Sequence, residues 1–151
     1  MGAHPNNFMA PEGHIVARLK QALADVRPAV HVLTGAELAS LQETAQPTPA
    51  VHVVWQGLRV LETRADGRMA RLDQTWAIVA AVRNVRGVQA GADARAEAGE
   101  LAARAGAALM GFRPPNSKGP MRLAPAPSAG YSNGFLYLPL AFLVETHFQA
   151  S

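Results

Sequence analysis

The residues best suited to chemistry in this sequence are its five histidines, His4, His14, His31, His52 and His147. Neutral imidazole ligates metals and carries protons near pH 7. A metal site needs at least two such ligands within reach of one ion, with further groups to orient them. His31, His52 and His147 fall on three expected strands and could converge, but no pair has a helical ligand spacing such as H-x-x-x-H. Solvated strand histidines are the plainer reading. The carboxylates are no better placed for acid–base work: Glu97 and Glu100 share a wet helix face, and Glu62 and Asp66 belong to a hairpin. None of Ser40, Ser117, Ser128, Ser132 and Ser151 lies in a G-x-S-x-G nucleophile elbow. Gly87-Val-Gln-Ala-Gly91 opens a helix but lacks both G-x-G-x-x-G and a P-loop lysine, and Asp93 already brings negative charge to the turn where an anion would bind. The absence of cysteine excludes disulfides, thiolate catalysis and Cys-ligated clusters. No residue pattern supports an enzyme, a metal or a cofactor, so none is expected.

The basic residues are almost all arginine, since Lys20 and Lys118 are the only lysines. Arg59, Arg64, Arg68, Arg71, Arg83 and Arg86 cluster mid-chain, four of them around Asp66-Gly67. Such a hairpin could face nucleic acid or an acidic protein, or the arginines could simply keep its edges soluble. A net charge of +3 is too small to claim nucleic-acid binding. No aromatic residue stands between Trp55 and Trp76 to stack on bases.

The elements that must position these groups follow from periodicity. With 151 residues, 49% hydrophobic and 17% charged, the chain reads as an N-terminal arm over 1–10, flexible in the free protein, followed by one domain over 11–151. Glu12 to Val26 is an amphipathic helix with Pro11 at its start and Pro28 beyond its end. Ala29 to Leu33 is a short strand. Thr34-Gly-Ala-Glu37 has capping-box form and opens a short helix to about Glu43. Ala50 to Leu58 is a strand continuing to Arg64, Asp66-Gly67 is a hairpin turn, and the return strand through Gln74 to Arg83 is apolar on both faces and therefore central. Gly91 to Met110 is a second long helix. A proline-rich loop spans Gly111 to Gly130, with a short strand at Met121 to Ala124, and a last strand begins at Gly134. The fold class is α+β: a mainly antiparallel sheet with two long helices packed on one face.

The apolar run from Phe135 to Val144 is about half of the roughly 20 residues that a spanning helix needs, and the first residues lack the pattern of a signal peptide. The run is therefore read as a strand with Leu136, Leu138, Leu140, Phe142 and Val144 on its core face. Phe135, Tyr137, Pro139, Ala141 and Leu143 lie on the other, with little left to cover them. Pro139 suits a place at or near a sheet edge. In the second long helix Arg95, Gly99, Ala102 and Gly106 form a stripe beside the core face, and interior glycines there suggest close approach of a backbone. That backbone could belong to the domain's own sheet or to a neighbouring subunit. The subunit-interface candidates are Arg95, Gly99, Ala102, Gly106, Phe135, Tyr137 and Leu143.

Five stretches together resemble one family. They are the helix ending near Val26, Pro49-Ala-Val-His-Val-Val-Trp55, the Trp76 strand ending in Val82-Arg-Asn84, Ala108-Leu-Met-Gly-Phe-Arg-Pro114, and Tyr131…Gly134…Leu140-Ala-Phe142. In this order the chain resembles the phage tail terminator proteins, in particular those of Mu-like phages and prophages. The resemblance implies a structural virion protein that forms a homo-oligomeric ring, generally hexameric. The ring would cap the head-proximal end of the tail tube, stop its polymerisation and help join tail to head after assembly in the bacterial host's cytoplasm. Its partners would be the tail tube protein and head–tail connector proteins. DNA would pass through the lumen without specific binding, and no membrane is involved. Arg59, Arg64, Arg68 and Arg71 would then line the lumen or face a partner. The alternatives are another head–tail joining or neck component, a small metal-dependent enzyme, or a nucleic-acid-binding module.

Overall fold

The structure, a computed structural model, describes residues 4–84 and 88–151, the side chains of 88–90 excepted. Arg86 and Gly87 lie outside the described residues, as do positions 1–3 of the expected arm. The elements are α1 (Ala10–Ala22), β1 (His31–Thr34), α2 (Gly35–Ala39), a 3-10 turn (Glu43–Ala45), β2 (Ala50–Thr63), β3 (Met69–Arg83), α3 (Val88–Leu109), β4 (Arg122–Ala124), β5 (Gly130–Ser132) and β6 (Phe135–Gln149). They form one mixed sheet in the order β1-β2-β3-β6-β4, with β5 also on β6. Only β1 runs parallel to its neighbour; every other pairing is antiparallel. The expected α+β class is the observed one.

The central strand is β3, paired with β2 on one side and over its whole length with β6 on the other, from Met69↔Gln149 to Arg83↔Phe135. One face of the sheet meets α1 and α3 in a core containing Ile15, Leu19, Val51, Val53, Trp76, Ile78, Leu101, Leu109, Phe142 and Val144. The Trp76 indole is fully buried and donates from Nε1 to Gln74 Oε1 at 3.2 Å, so its one polar atom is satisfied by a neighbour two residues away. The core occupies the half of the strands nearest Ala50 and Val82. Farther along, Leu58 and Val60 are 39% and 54% exposed on the same sheet face, so β2 and β3 run on past the helices as an uncovered ribbon.

Local signals account for most boundaries. Thr34 caps α2 as a full capping box, its hydroxyl accepting from the Glu37 N–H and its own N–H reaching Glu37 Oε1. Asp66-Gly67 does make the hairpin turn, but only Gly67 takes positive φ (+72°). Asp66 acts through its side chain, accepting from the Arg68 N–H at 3.0 Å. Helix α1 ends four residues before Val26, its last turn closed by the Leu23 N–H on Leu19 O. The 111–130 segment is tied down: Met121 N–H bonds Phe112 O at 2.8 Å, Lys118 N–H bonds Glu145 O at 2.8 Å, and Ser117 Oγ donates to Pro114 O at 2.6 Å. Strand β5 was not expected. It forms through the two-residue turn Asn133-Gly134, both at positive φ (+49° and +82°), which returns the chain onto β6.

These short strands also refine the reading of Pro139. Strand β6 is not a bare edge: β5 covers Phe135–Tyr137 and β4 covers Ala141–Leu143. Pro139, which has no N–H to donate, sits in the gap between them.

The two helix glycines differ. A Cβ at Gly106 would lie 2.9 Å from Leu140 Cδ1, whereas one at Gly99 would meet nothing within 4 Å. Gly106 is thus explained by close packing on the subunit's own sheet. Gly99→Ala is expected to stabilise the isolated subunit by roughly 0.5–1 kcal/mol through helix propensity, and Gly106→Ala by less, because Leu140 must move. Urea unfolding of both variants beside the parent measures the difference; equal gains would show that the Leu140 contact imposes no constraint.

Candidate assembly surfaces

At the hairpin end the two sheet faces differ in character. On the side away from the helices, charged residues alternate in a ladder. Arg71 bridges Glu62 at 3.4 Å and Glu145 at 3.3 Å, and these carboxylates hold its guanidinium more firmly charged than usual. His147 lies 3.3 Å from Glu145, and Arg122 reaches the buried Asp73 carboxylate at 2.8 Å. At the tip Arg64 makes a two-point contact with Asp66, at 2.9 and 2.8 Å, which holds that carboxyl below its usual range. Arg68 donates to the backbone oxygen of Ser151 at 3.1 Å. Of the four hairpin arginines singled out from sequence, Arg64 and Arg71 are therefore neutralised within the subunit. Arg59 stands opposite Asp73 in the ladder but forms no ion pair among the described residues.

The helix-side face of the same end is apolar. Residues from the expected arm contribute to it: the Phe8 ring stacks on Phe148 at 5.4 Å and on Trp55 at 6.3 Å, and Asn6 exchanges two hydrogen bonds with the Gln149 backbone. Phe148, Leu58, Val60 and Met9 remain partly exposed around it.

The opposite sheet face near Ala50 was expected to lie open along β6. That expectation is corrected: α2 and the 3-10 turn fold over it, and Leu33, Ala50 and Ala81 form a second small core with Leu38 and Tyr137 against it. Phe135 is 1% exposed, with the Arg83 guanidinium 4.9 Å from its ring centroid. Glu43 ties the turn down. Its carboxylate accepts from Tyr137 Oη at 2.5 Å, Asn133 Nδ2 at 2.6 Å and Ser132 Oγ at 2.9 Å, and these bonds lower its pKa in that order. Burial, reinforced by Glu43, pushes the Tyr137 hydroxyl up to about 12. Glu43 and Gln46 had no sequence signal of their own; only the Asn133-Gly134 turn, which brings Ser132 and Asn133 round to them, is legible as a pattern.

The other interface candidates divide similarly. Ala102 is buried in the main core and Gly106 packs on Leu140, while Arg95 and Gly99 stay accessible and Leu143 is half-buried. Arg95 borders a cavity of about 220 Å³ with Ala98, Tyr131 and Leu138, on the flank of α3 that faces β5. The flank that faces α1 carries a larger cleft of about 360 Å³, floored by Val26, Pro28, Val30 and Leu101 and rimmed by charges of both signs, Asp25, Glu97 and Glu100 with Arg27 and Arg104.

The histidines do not converge. His31 is exposed, His52 is buried under the 3-10 turn, and His147 lies toward the far end of β6, opposite Arg71. Among the described residues no group of three or more metal-ligating side chains is assembled, and no described helix is long and apolar enough to cross a membrane.

The family model for phage tail terminator proteins matches residues 6–150, nearly the whole chain. The chain belongs to the phage tail terminator family. No curated protein matches the sequence. Among solved structures, a chain from the virion of a native gene transfer agent (GTA) particle is similar in fold: TM-score 0.53 and 16% identity, over 92% of this chain and 98% of that one. As a tail terminator family member the protein is a structural component of a phage-type tail, and its surfaces are to be read as assembly surfaces.

One of these surfaces carries a titrating group. Burial lowers the His52 pKa below 6.5. The unfolded chain therefore binds this proton first as pH falls, and the stability contributed by neutral His52 is lost below about pH 6.5. The unfolding free energy should fall as the pH drops below about 6.5, and His52→Gln should flatten that slope by up to one proton's worth. Parallel curves for parent and variant in urea titrations would show that His52 is not the source.

Proposed function

We propose that this chain forms a closed hexameric ring at the head-proximal end of the tail tube. There it stops tube polymerisation and offers the surface to which head–tail connector proteins join. The match to the tail terminator family over residues 6–150 carries this reading. The role is non-catalytic and needs no cofactor, and assembly takes place in the host cytoplasm. A ring requires two unlike, complementary patches on each subunit, because a head-to-tail contact closes only if its two halves differ. The subunit offers several accessible surfaces of different character. We assign the α3 flank at Arg95 and Gly99, and the half-buried Leu143 beside β4, to contacts with other virion subunits.

The charge pattern supports a lumen that lets DNA pass without holding it. Affinity for DNA scales with the number of phosphates neutralised by free cations. At the hairpin, Arg64 and Arg71 are already engaged with carboxylates of their own subunit. A surface of this kind lowers the barrier to passage of a polyanion without supplying a binding site.

The test is direct. Purified protein added to polymerising tail tubes that lack a terminator should yield tubes of fixed length, with extra density at one end in electron micrographs. Tubes that keep elongating at saturating protein would refute the capping role.

A further inference from the structure

We propose that the cavity between the 3-10 turn and the sheet binds a primary alkylammonium group, of the kind carried by a lysine side chain or a free polyamine. The inference stands apart from the ring reading, because it rests on polar atoms that the subunit itself buries without partners. The cavity measures about 260 Å³, with Leu38, Leu41 and Tyr137 in its walls and Glu43, Gln46 and His52 among its polar lining. Gln46 and His52 are only 5% and 6% exposed. Among the described residues, Gln46 Oε1 and His52 Nε2 are buried atoms with no hydrogen-bond partner. Leaving one such atom unpaired is costly, so two at one cavity point to a ligand that pairs them.

The neighbouring bonds fix which of these atoms accept. Tyr137 keeps its single proton, since burial and Glu43 hold its pKa up, and gives it to the Glu43 carboxylate. Gln46 must then donate to Tyr137 Oη from Nε2, at 2.5 Å, which leaves Oε1 as a free acceptor. Burial keeps His52 neutral near pH 7, and its Nε2 accepts in the tautomer that carries the proton on Nδ1. Glu43 already accepts from Tyr137, Ser132 and Asn133. Its two oxygens offer about four acceptor sites, so one remains. The His52 and Tyr137 rings stand 6.0 Å apart, which puts the free imidazole nitrogen beside the Gln46–Tyr137–Glu43 chain.

The cavity thus offers acceptors: Gln46 Oε1, His52 Nε2 and the remaining site on Glu43. With His52 neutral, Glu43 is also the one charged residue in the lining. A primary ammonium presents three donors and no acceptor, and its positive charge complements the carboxylate. The Leu38 and Leu41 side chains supply apolar surface for the alkyl stem. Other small groups fit less well. A hydroxyl brings one donor and no charge, an anion would be repelled by Glu43, and a quaternary ammonium brings the charge without a donor.

The test is a titration of the full chain at neutral pH with n-butylammonium, n-butyltrimethylammonium and n-butanol, read by calorimetry and by the side-chain NMR signals of His52 and Gln46. n-Butylammonium is expected to shift both signals saturably and to bind about tenfold or more tightly than the other two probes, the margin that charged N–H donors confer. Gln46→Met should abolish that preference. Circular dichroism checks that the variant is folded, and the probe series on the parent protein decides the matter if it is not. Spermidine and acetyl-lysine methylamide then distinguish the sources: tighter spermidine binding assigns the site to a free polyamine, and tighter binding of the lysine derivative to a lysine side chain of another chain. Equal affinity for the three butyl probes, or His52 and Gln46 signals that do not move across the n-butylammonium titration, would overturn the proposal. Neither result bears on the capping of tail tubes.

Discussion

The unbroken pairing of β3 with β6 is the constraint on which the rest of the subunit depends. Both strands are 15 residues long and stay in register from end to end. Such strands reach about 50 Å, while the 13 residues of α1 span about 20 Å. The 22 residues of α3 span about 33 Å, and both helices pack on the half nearest Ala50 and Val82, which leaves the hairpin half bare of helix. At the covered half the sheet is buried on both sides, by α1 and α3 on one and by α2 and the 3-10 turn on the other. At the bare half each strand keeps its alternation, so one face becomes a salt-bridge ladder and the other an apolar strip closed in part by Phe8.

That division separates folding from assembly within one sheet. Trp76, Phe142 and Phe135 lie in the covered half, where removing apolar area from water is the main stabilising term. The bare half contributes little to such a core and retains exposed apolar side chains, a surface character usual for a protein that works in an assembly. Its charge is largely balanced within the subunit. Arg71 between two carboxylates, Arg64 on Asp66 and Arg122 on Asp73 fix the shape of the hairpin and reduce the positive field it projects. An arginine-rich sequence is thereby converted into a surface with only a few free cations.

Much of this is legible residue by residue. The capping box at Thr34, the turn at Asp66-Gly67 and the double-sided apolar run of β3 are local patterns, each set by backbone hydrogen bonding or by strand alternation, and each is found where its pattern places it. The leucine side of β6 is likewise in the core. The opposite face of β6 was misread as open, because no periodicity in residues 35–46 says which surface that short segment will cover. Glu43 does so through hydrogen bonds to residues some 90 positions away. The small residues of α3 could equally have served a neighbour or the subunit's own sheet. Only the placement of Leu140 assigns Gly106 to the sheet.

The sequence by itself determined the class of fold, the central place of β3, the one sheet face covered by two long helices and the family, because these depend on alternation, helical period and the order of segments. The tertiary structure alone decided which apolar residues are spent on the subunit's own core and which remain for partners. It also decided which arginines are free. Burial and charge pairing are set by what lies opposite in space, and for Phe135, Tyr137 and Arg71 the decisive neighbours come from distant parts of the chain.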